Sequence, residues 1–510
     1  MEKPIIRKMR EDYGYFGVLS LVYGIIFAFC LYKNTHGITM VLFAIMTIVF
    51  AMLYIKKIGF VLQKKSKRYF IGMILLSVAT ALTTTSFFIT FNFIGIVLLF
   101  GVAMIHQFYD DGKWNFPAYL ERVFILFGSA ILRIGMPYKH GAQYLIGEKQ
   151  GKKRTFTAII LGLLVAIALI SIILPLLLSS DMMFAKVFGE IFKYINFRNI
   201  VGIIIYILIG FTAFYATCAA IGTYNFPSDN GRKAKYRNPV VGITFTFILG
   251  VIYAMYCAIQ ILYLFLGIEK GLPNGAFYSE YARSGFWELL FVAIINFILV
   301  LVCMYVFSKS NILKGILTFI SLCTYIMMLS AAYRMSIYVS QYHLTFLRVL
   351  VLWFLLVLSL IMTGVIINIY KQTFPLFRYI VMIVSICYTV FALSRPGYWI
   401  AEYNVAQTKN MKVEDLTYLM RNFPEDAASA ISKINPEEID SSAVSYYDDN
   451  EEKEVSRVKG SLYDYFTDIS QNNEDVYFRK ANYARIRAKQ VADEYLEKHS
   501  DYKEHSNKRR

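Results

Sequence analysis

Residues 286–307 read FWELLFVAIINFILVLVCMYVF, and this stretch decides the class of fold. The only side chain in it that is charged at neutral pH is Glu288, close to the beginning. Twenty-two residues of α-helix extend about 33 Å, which matches a hydrocarbon core about 30 Å thick. We therefore predict a membrane-spanning helix here.

The composition of the whole chain agrees with this prediction. The 510 residues are 57% hydrophobic and 17% charged, whereas soluble domains have about 25% charged and about 45–50% apolar residues. An ordinary cytosolic enzyme is excluded. The net charge is +17, but the excess of Lys and Arg lies between apolar runs, where orientation signals belong, so we expect no nucleic-acid partner.

Similar apolar runs recur along the first 394 residues. They predict an all-α fold, a polytopic transmembrane helical bundle of about 11 spans with a small C-terminal helical extramembrane region. The predicted spans are residues 14–32, 38–55, 70–86, 87–106, 156–178, 199–222, 240–266, 286–307, 315–333, 345–370 and 379–394. The third and fourth spans form a hairpin that turns at the Thr-rich residues 83–86.

The basic residues alternate from one side of the predicted bundle to the other. With a cytoplasmic N-terminus, the inside segments carry 26 Lys and Arg residues and the outside loops carry 8. Because basic loops stay in the cytoplasm, this asymmetry supports the orientation. Eleven crossings then place the C-terminal tail outside the cytoplasm, and ten would place it inside.

Two regions are predicted, a bundle at 1–394 and a soluble helical tail at 395–510. Helical spacing with scattered charges near 118–136 favours a helix in the membrane plane. In the tail we predict helices at 413–422, 424–434 and 473–499, and an acidic solvated linker near 437–454. In the second helix, Pro424 suits the first turn, and Glu425 and Asp426 suit the positive end of the helix dipole.

Polar side chains gather at the entry to the eighth span. Glu280 and Arg283 are three residues apart, and Asn296 lies two helical turns below Glu288. A carboxylate near the membrane boundary and a deeper amide could bind a cation or a polar group of a substrate. Alternatively, Glu288 is stabilised by the helix dipole and Asn296 bonds to another span. The candidate binding residues are Glu280, Tyr281, Arg283, Trp287, Glu288 and Asn296.

Other polar groups give weaker signals. We interpret Asn92, His106, Gln260 and Asn368 as interhelical hydrogen-bonding groups. Ser284 and His343 would have to act together in an intramembrane serine hydrolase, but no spacing brings them together. The sequence has no phosphate-binding glycine loop and no zinc motif, so no catalytic residue, cofactor or metal is predicted.

Residues 278–296, YSEYARSGFWELLFVAIIN, resemble the signature of a family of bacterial polytopic membrane proteins, the domain of unknown function 4173, which is related to the 4153 group. Residues 180–184 and 400–405 also resemble its segments, although Met182 and Met183 replace an expected small or proline-containing pair. The resemblance covers about residues 155–435. It implies a multi-pass protein of the bacterial cytoplasmic membrane, and it implies no established activity.

Three functions are left open by the sequence. The first is a permease for a small solute or ion that uses the cluster at the eighth span. The second is a membrane-anchored signalling or scaffolding protein that acts through its tail, with a protein partner. The third is an intramembrane enzyme. The lipid bilayer is the one partner that the sequence requires, and the oligomeric state does not follow from it.

Overall fold

The computed structural model describes residues 4–110, 114–147, 179–181, 183, 197–222, 237–265, 286–371, 373–406, 411–439, 451–473 and 478–504. Within these ranges the protein is helical. The described ranges include an isolated β-bridge between Arg237 and Phe307. The predicted all-α class is confirmed.

The helices of the first 265 residues are α1 (Pro4–Glu11), α2 (Tyr13–Leu31), α3 (Thr39–Ile58), α4 (Lys64–Leu82), α5 (Ser86–Phe108), α6 (Phe116–Leu132), α7 (Met136–Gly147), α8 (Phe197–Ile221) and α9 (Pro239–Ile259), which continues as a π-helical turn, Gln260–Phe265.

The later helices are α10 (Phe286–Val306), α11 (Asn311–Tyr342), α12 (Phe346–Tyr370), α13 (Leu376–Leu393), α14 (Pro396–Val405), α15 (Val413–Asn422), α16 (Ala428–Ile431), α17 (Glu451–Asn472) and α18 (Tyr483–Lys498).

Nine of the described helices are long and apolar enough to cross a membrane, namely α2, α3, α5 and α8 to α13. This protein is therefore an integral membrane protein. The predicted span at 70–86 coincides with α4, whose first turns carry four basic residues and which is not among the nine. The predicted span at 156–178 lies outside the described residues.

The described chain divides into two compact units. The first takes in the described residues of 1–77, 94–111 and 120–226. Within it, α2 and α8 approach closely, because a Cβ atom at Gly24 would lie 2.5 Å from the carbonyl oxygen of Ile207. The hydroxyl of the buried Tyr54 donates to the carbonyl of Cys218 at 2.8 Å, which joins α3 to α8.

The second unit takes in the described residues of 78–93, 112–119 and 227–510. Its membrane helices α9 to α12 share an apolar core that includes Leu290, Ala293, Met327 and Leu355. A separate apolar core is formed by α14 to α18, with Phe423, Leu462 and Phe466 at its centre. The predicted boundary at residue 394 follows the end of α13, and the residues beyond it belong to this same unit.

Three predictions for the loops and the tail need correction in extent. The helix predicted near 118–136 is α6, which ends at Leu132, before a turn leads into α7. The helix predicted at 424–434 is the single turn α16, because Glu425 and Asp426 bond elsewhere. The helix predicted at 473–499 begins at Tyr483, where Asn482 caps it by accepting from the Ala484 amide at 2.9 Å.

One tail helix was not predicted. The sequence predicts an acidic linker near 437–454, whereas α17 begins at Glu451. Its apolar side chains recur at helical spacing, and those of Val458, Leu462, Phe466 and Ile469 are buried. This stripe packs against the buried face of α18, which carries Ala488, Val491 and Tyr495.

Candidate functional site

The cluster predicted at the eighth span is only partly described. Glu280, Tyr281 and Arg283 lie outside the described residues, as does Ser284. Trp287 and Glu288 are exposed at the beginning of α10.

The deeper member of this cluster, Asn296, is fully buried. The Tyr253 hydroxyl donates to its Oδ1 at 2.6 Å, and its Nδ2 donates to the Thr324 hydroxyl at 2.9 Å. Both polar atoms of the amide are therefore engaged with the neighbouring helices α9 and α11. This confirms the interpretation of Asn296 as an interhelical hydrogen-bonding group.

The other intramembrane polar groups follow the same rule within their own units. Each forms at least one side-chain hydrogen bond to a second helix, as predicted. The pairs are Asn92 with Thr80 at 3.0 Å, His106 with Tyr69 at 2.9 Å, Gln260 with Ser330 at 2.6 Å and Asn368 with Tyr305 at 3.4 Å. These four polar side chains therefore link neighbouring helices.

A different polar cluster lies where the tail meets the turn between α4 and α5. We call residues Thr83, Thr84 and Thr85 the threonine turn. The carboxylate of Asp426 is 1% exposed. Its Oδ2 accepts from the Thr83 hydroxyl at 2.5 Å, the Thr85 hydroxyl at 3.1 Å and the Thr84 amide at 3.2 Å. Three donors on one turn therefore stabilise a buried negative charge.

The opposite oxygen of Asp426 faces a guanidinium. Arg395 Nη2 lies 3.3 Å from Asp426 Oδ1, and the Arg395 side chain is 19% exposed. The guanidinium also lies over the rings of Tyr483 and Tyr398, at 4.9 and 5.4 Å from their centroids. This combination of an ion pair with two cation–π contacts fixes the position of Arg395.

The backbone at Arg395 has a left-handed conformation, with φ of 53°. A non-glycine residue with positive φ is uncommon and is held by its surroundings. Here it turns the chain from the end of α13 directly into α14. Two residues later, a Cβ atom at Gly397 would lie 2.9 Å from the Phe423 ring and 3.3 Å from the Thr85 hydroxyl, so this close approach requires glycine.

Two further residues attach the tail to the same turn. Glu425 Oε2 accepts from the Thr84 hydroxyl at 3.0 Å, and its Oε1 lies 3.6 Å from Arg485 Nε. Asn482 donates to the carbonyls of Thr80 and Thr83 at 3.1 and 3.0 Å. Because the last carbonyls of a helix have no partner within it, Asn482 completes the end of α4 while it caps α18. We call these contacts of Asp426, Arg395, Glu425 and Asn482 the docking cluster.

A second turn of the same unit also holds the tail. Asn404 accepts from the Leu344 amide and donates to the Leu344 carbonyl, each at 2.9 Å. The Phe346 amide donates to the Tyr418 hydroxyl at 2.9 Å. His343, at the end of α11, lies 3.9 Å from the carboxylate of Asp415. The tail is therefore bound to the turn between α11 and α12 as well as to the threonine turn.

A cavity of about 340 Å³ opens beside the docking cluster. Its walls carry two arginines, two tyrosines, two carboxylates and a serine. The lining residues are Arg395, Tyr398, Glu425, Asp426, Ser429, Tyr483, Arg487 and Ala488. Burial, followed by the nearby Glu402, raises the pKa of Tyr398 above its usual value, so its hydroxyl remains a hydrogen-bond donor near neutral pH.

The docking cluster was not predicted from the sequence, although the sequence shows the residues that form it. The sequence pattern indicates only a hairpin turn at residues 83–86 and places Glu425 and Asp426 at a helix start. The signal that could have located the cluster is the pair of adjacent carboxylates after Pro424, in a segment too polar for the membrane. The site then required knowledge that residues 343 positions apart are in contact.

Comparison with known proteins places the chain in a family. Residues 70–434, more than half of the chain, match the domain of unknown function DUF4153. No curated protein and no solved structure matches the chain. The match supports the relation to the 4153 group, and the resemblance to the 4173 family remains a prediction. The chain belongs to the DUF4153 family.

Proposed function

We propose that this protein is a membrane-anchored signalling or scaffolding protein that acts through its docked tail, residues 395–504. The observation that carries the proposal is the buried Asp426 carboxylate, bonded to three donors of the threonine turn and to Arg395. A tail that served only as a solvated extension would not need a buried ion pair at its junction with the bundle.

The described bundle gives less support to a permease. The polar atoms of Asn296 are already bonded to Tyr253 and Thr324, so binding a solute there would break two hydrogen bonds. The cavity lined by charged groups lies instead beside the docking cluster. The acting surface that we propose therefore lies on the tail and not at the eighth span.

The proposed side of the membrane rests on the predicted orientation of the N-terminus and on the predicted crossings. The proposal counts α4 as a crossing, as the sequence predicts for residues 70–86, although α4 is not among the nine apolar helices. From a cytoplasmic N-terminus the chain then crosses three times, through α2, α3 and α4, before it reaches the threonine turn. An odd number of crossings puts that turn, and the tail docked on it, outside the cytoplasm. We propose the bacterial cytoplasmic membrane as the location, with the tail on its outer face.

Complementation tests the proposal. In a strain that lacks the gene, a chain truncated after residue 410 should reach the membrane in normal amount and fail to restore the wild-type phenotype. The full-length chain with Asp468→Ala, a change at an exposed tail residue, should restore it. A truncated chain that complements fully would contradict the proposal.

A reporter fusion tests the orientation. Alkaline phosphatase fused after Arg510 should be active, since it folds only outside the cytoplasm, and green fluorescent protein at the same position should not fluoresce. The reverse pattern would contradict the proposed side of the tail.

A further inference from the structure

Two arginines and two carboxylates line the cavity beside the docking cluster, and both carboxylates are already bonded to other groups. The carboxylate of Glu425 is engaged with Thr84 and Arg485, and that of Asp426 is engaged with the threonine turn and Arg395. Arg487 is exposed on the cavity wall, where it bonds to Gln490 at 3.4 Å, and within the described ranges it forms no ion pair. An anion in the cavity would therefore meet a cationic group without a competing carboxylate.

The walls also supply favourable dipoles and the hydroxyl of Tyr483, whereas the Tyr398 hydroxyl already bonds to Glu402. Tyr398 lies in the first turn of α14, and Tyr483 is the first residue of α18. The beginnings of these two helices carry partial positive charge, which adds to that of the arginines. A planar guanidinium and a hydroxyl donor suit the oxygen atoms of a phosphate group, which accept several hydrogen bonds at once.

The position of the cavity indicates where the phosphate comes from. Arg395 follows the membrane helix α13 by two residues, and Asn482 binds the end of α4. Beside Tyr398, Trp399 is 62% exposed, and exposed Trp side chains favour the level of the lipid headgroups. Both features favour a position for the cavity at the level of the lipid headgroups.

An apolar surface adjoins the cationic wall. Tyr483, Ile486 and Arg487 share one face of α18, because they are separated by three and four residues. Tyr483 is 51% exposed and Ile486 is 45% exposed. A ligand that carries a phosphate next to an apolar chain would match both parts of this face.

We propose that the cavity binds the phosphate group of an anionic membrane lipid, with Arg487 and Arg395 as the cationic groups that contact it. This inference rests on the proposed function, since it names the ligand class of the docked tail. Arg395 also holds Asp426, so it positions the tail as well as the ligand. Arg487 is the residue to test, because it contributes to the ligand side of the cavity alone.

The test measures binding of short-chain lipids to the purified full-length protein in detergent. The probes are dihexanoyl phosphatidylglycerol, dihexanoyl phosphatidylcholine and inorganic phosphate. The test variant is Arg487→Gln, and the matched control is Lys489→Gln, which removes one positive charge from the same helix outside the cavity. Each dissociation constant is measured by isothermal titration calorimetry.

We expect phosphatidylglycerol to bind more tightly than phosphatidylcholine, and Arg487→Gln to weaken it about tenfold, the size expected for one charge-assisted contact. Lys489→Gln should change it less than twofold. Inorganic phosphate could instead bind as tightly as the lipid, with binding that also depends on Arg487. That result would support a phosphate site and would identify the ligand as a soluble phosphate in place of a lipid. The proposal would be overturned if both variants weakened phosphatidylglycerol binding equally. It would also be overturned if neither phosphatidylglycerol nor inorganic phosphate bound to the wild-type protein.

The two proposals fail separately. If the truncated chain complements the deletion strain while Arg487-dependent lipid binding persists, the tail is not the acting part. If lipid binding is absent while the truncated chain remains inactive, the tail acts through another ligand and only the lipid site is wrong. Hydrogen exchange of α15 and α18 in the Arg487→Gln protein should match that of the wild type, which shows that docking is intact.

Discussion

Asn296 and Asp426 are both buried polar residues, but different kinds of hydrogen-bond partner compensate for the loss of water around them. Asn296 lies among membrane helices and uses neutral groups, one donor and one acceptor, to join α10 to α9 and α11. Asp426 lies in the tail and keeps a charge, which four hydrogen bonds from the threonine turn and Arg395 compensate.

This difference shows why a polar residue within a membrane span does not by itself indicate the functional site of this protein. In lipid, an amide with both polar atoms bonded is a structural contact, worth about 0.6–2 kcal/mol. At the junction with the tail, a buried carboxylate and a guanidinium line a cavity. Polar groups that converge on a cavity are the stronger indication of a functional surface.

The largest effect is expected at Asp426. Asp426→Ala leaves Arg395 and the donors of the threonine turn without their common acceptor, and breaking a buried ion pair costs about 3–5 kcal/mol. We expect the free energy of unfolding of the tail to fall by that amount. Hydrogen exchange of the amides of α15 and α18 in the full-length protein measures it.

The control for this change is Asp468→Ala. Asp468 is exposed on α17, so the same loss of a carboxylate should change the exchange rates by less than twofold. If both variants exchange alike, Asp426 does not hold the tail.

A smaller effect is expected at Asn296. Asn296→Ala leaves the Tyr253 and Thr324 hydroxyls without their amide partner and should lower the free energy of unfolding of the bundle by about 1–2 kcal/mol. Unfolding in mixed micelles of increasing sodium dodecyl sulfate content measures this change. Thr244→Ala, at an exposed residue that bonds only within its own helix, is the control. A loss larger than that of Asp426→Ala would reverse the comparison between the two regions.

The smallest effect is a pH dependence of the tail. Burial, followed by Lys498, lowers the pKa of His499 below its ordinary value of 6.5, while Asp501 opposes the shift. The unfolded chain therefore binds this proton more readily than the folded chain, and stability falls as the pH drops below about 6.5.

Substitution of His499 isolates this contribution. His499→Phe keeps a ring next to Tyr495 and Tyr502, whose centroids lie 4.5 and 4.8 Å from that of His499, and removes the proton. Exchange of α18 amides at pH 7.5 and 5.5 should show a smaller loss of protection in the variant than in the wild type. An unchanged loss would assign the pH dependence to other groups.

The sequence predicts the membrane helices well because their signal is local. Apolar runs of about 20 residues meet the thickness of the hydrocarbon core, and nothing outside the run is needed to recognise them. The tail helix α15 was also predicted from a local pattern, and its ends, Val413 and Asn422, match the predicted range. The single turn α16 was predicted too long because Glu425 and Asp426 bond to the threonine turn, which lies in a distant part of the sequence.

The docking cluster could not be predicted from local patterns. Asp426 and Thr83 are 343 positions apart, and a carboxylate after a proline is equally typical of a helix start. In contrast, α17 could have been predicted from the sequence, because Val458, Leu462 and Ile469 recur at helical spacing. The beginning of α17 was not predicted because the acidic residues before this stripe are typical of a solvated linker.

The most direct test of the account joins the tail to the threonine turn in native membranes. Thr84→Cys and Glu425→Cys would replace two side chains that lie 3.0 Å apart, and five of the six native cysteines are buried. A short bis-methanethiosulfonate linker should join this pair and leave the control pair Thr84→Cys and Glu437→Cys unjoined. If the first pair stays unjoined while both cysteines react with maleimide, the tail is not docked as the account requires.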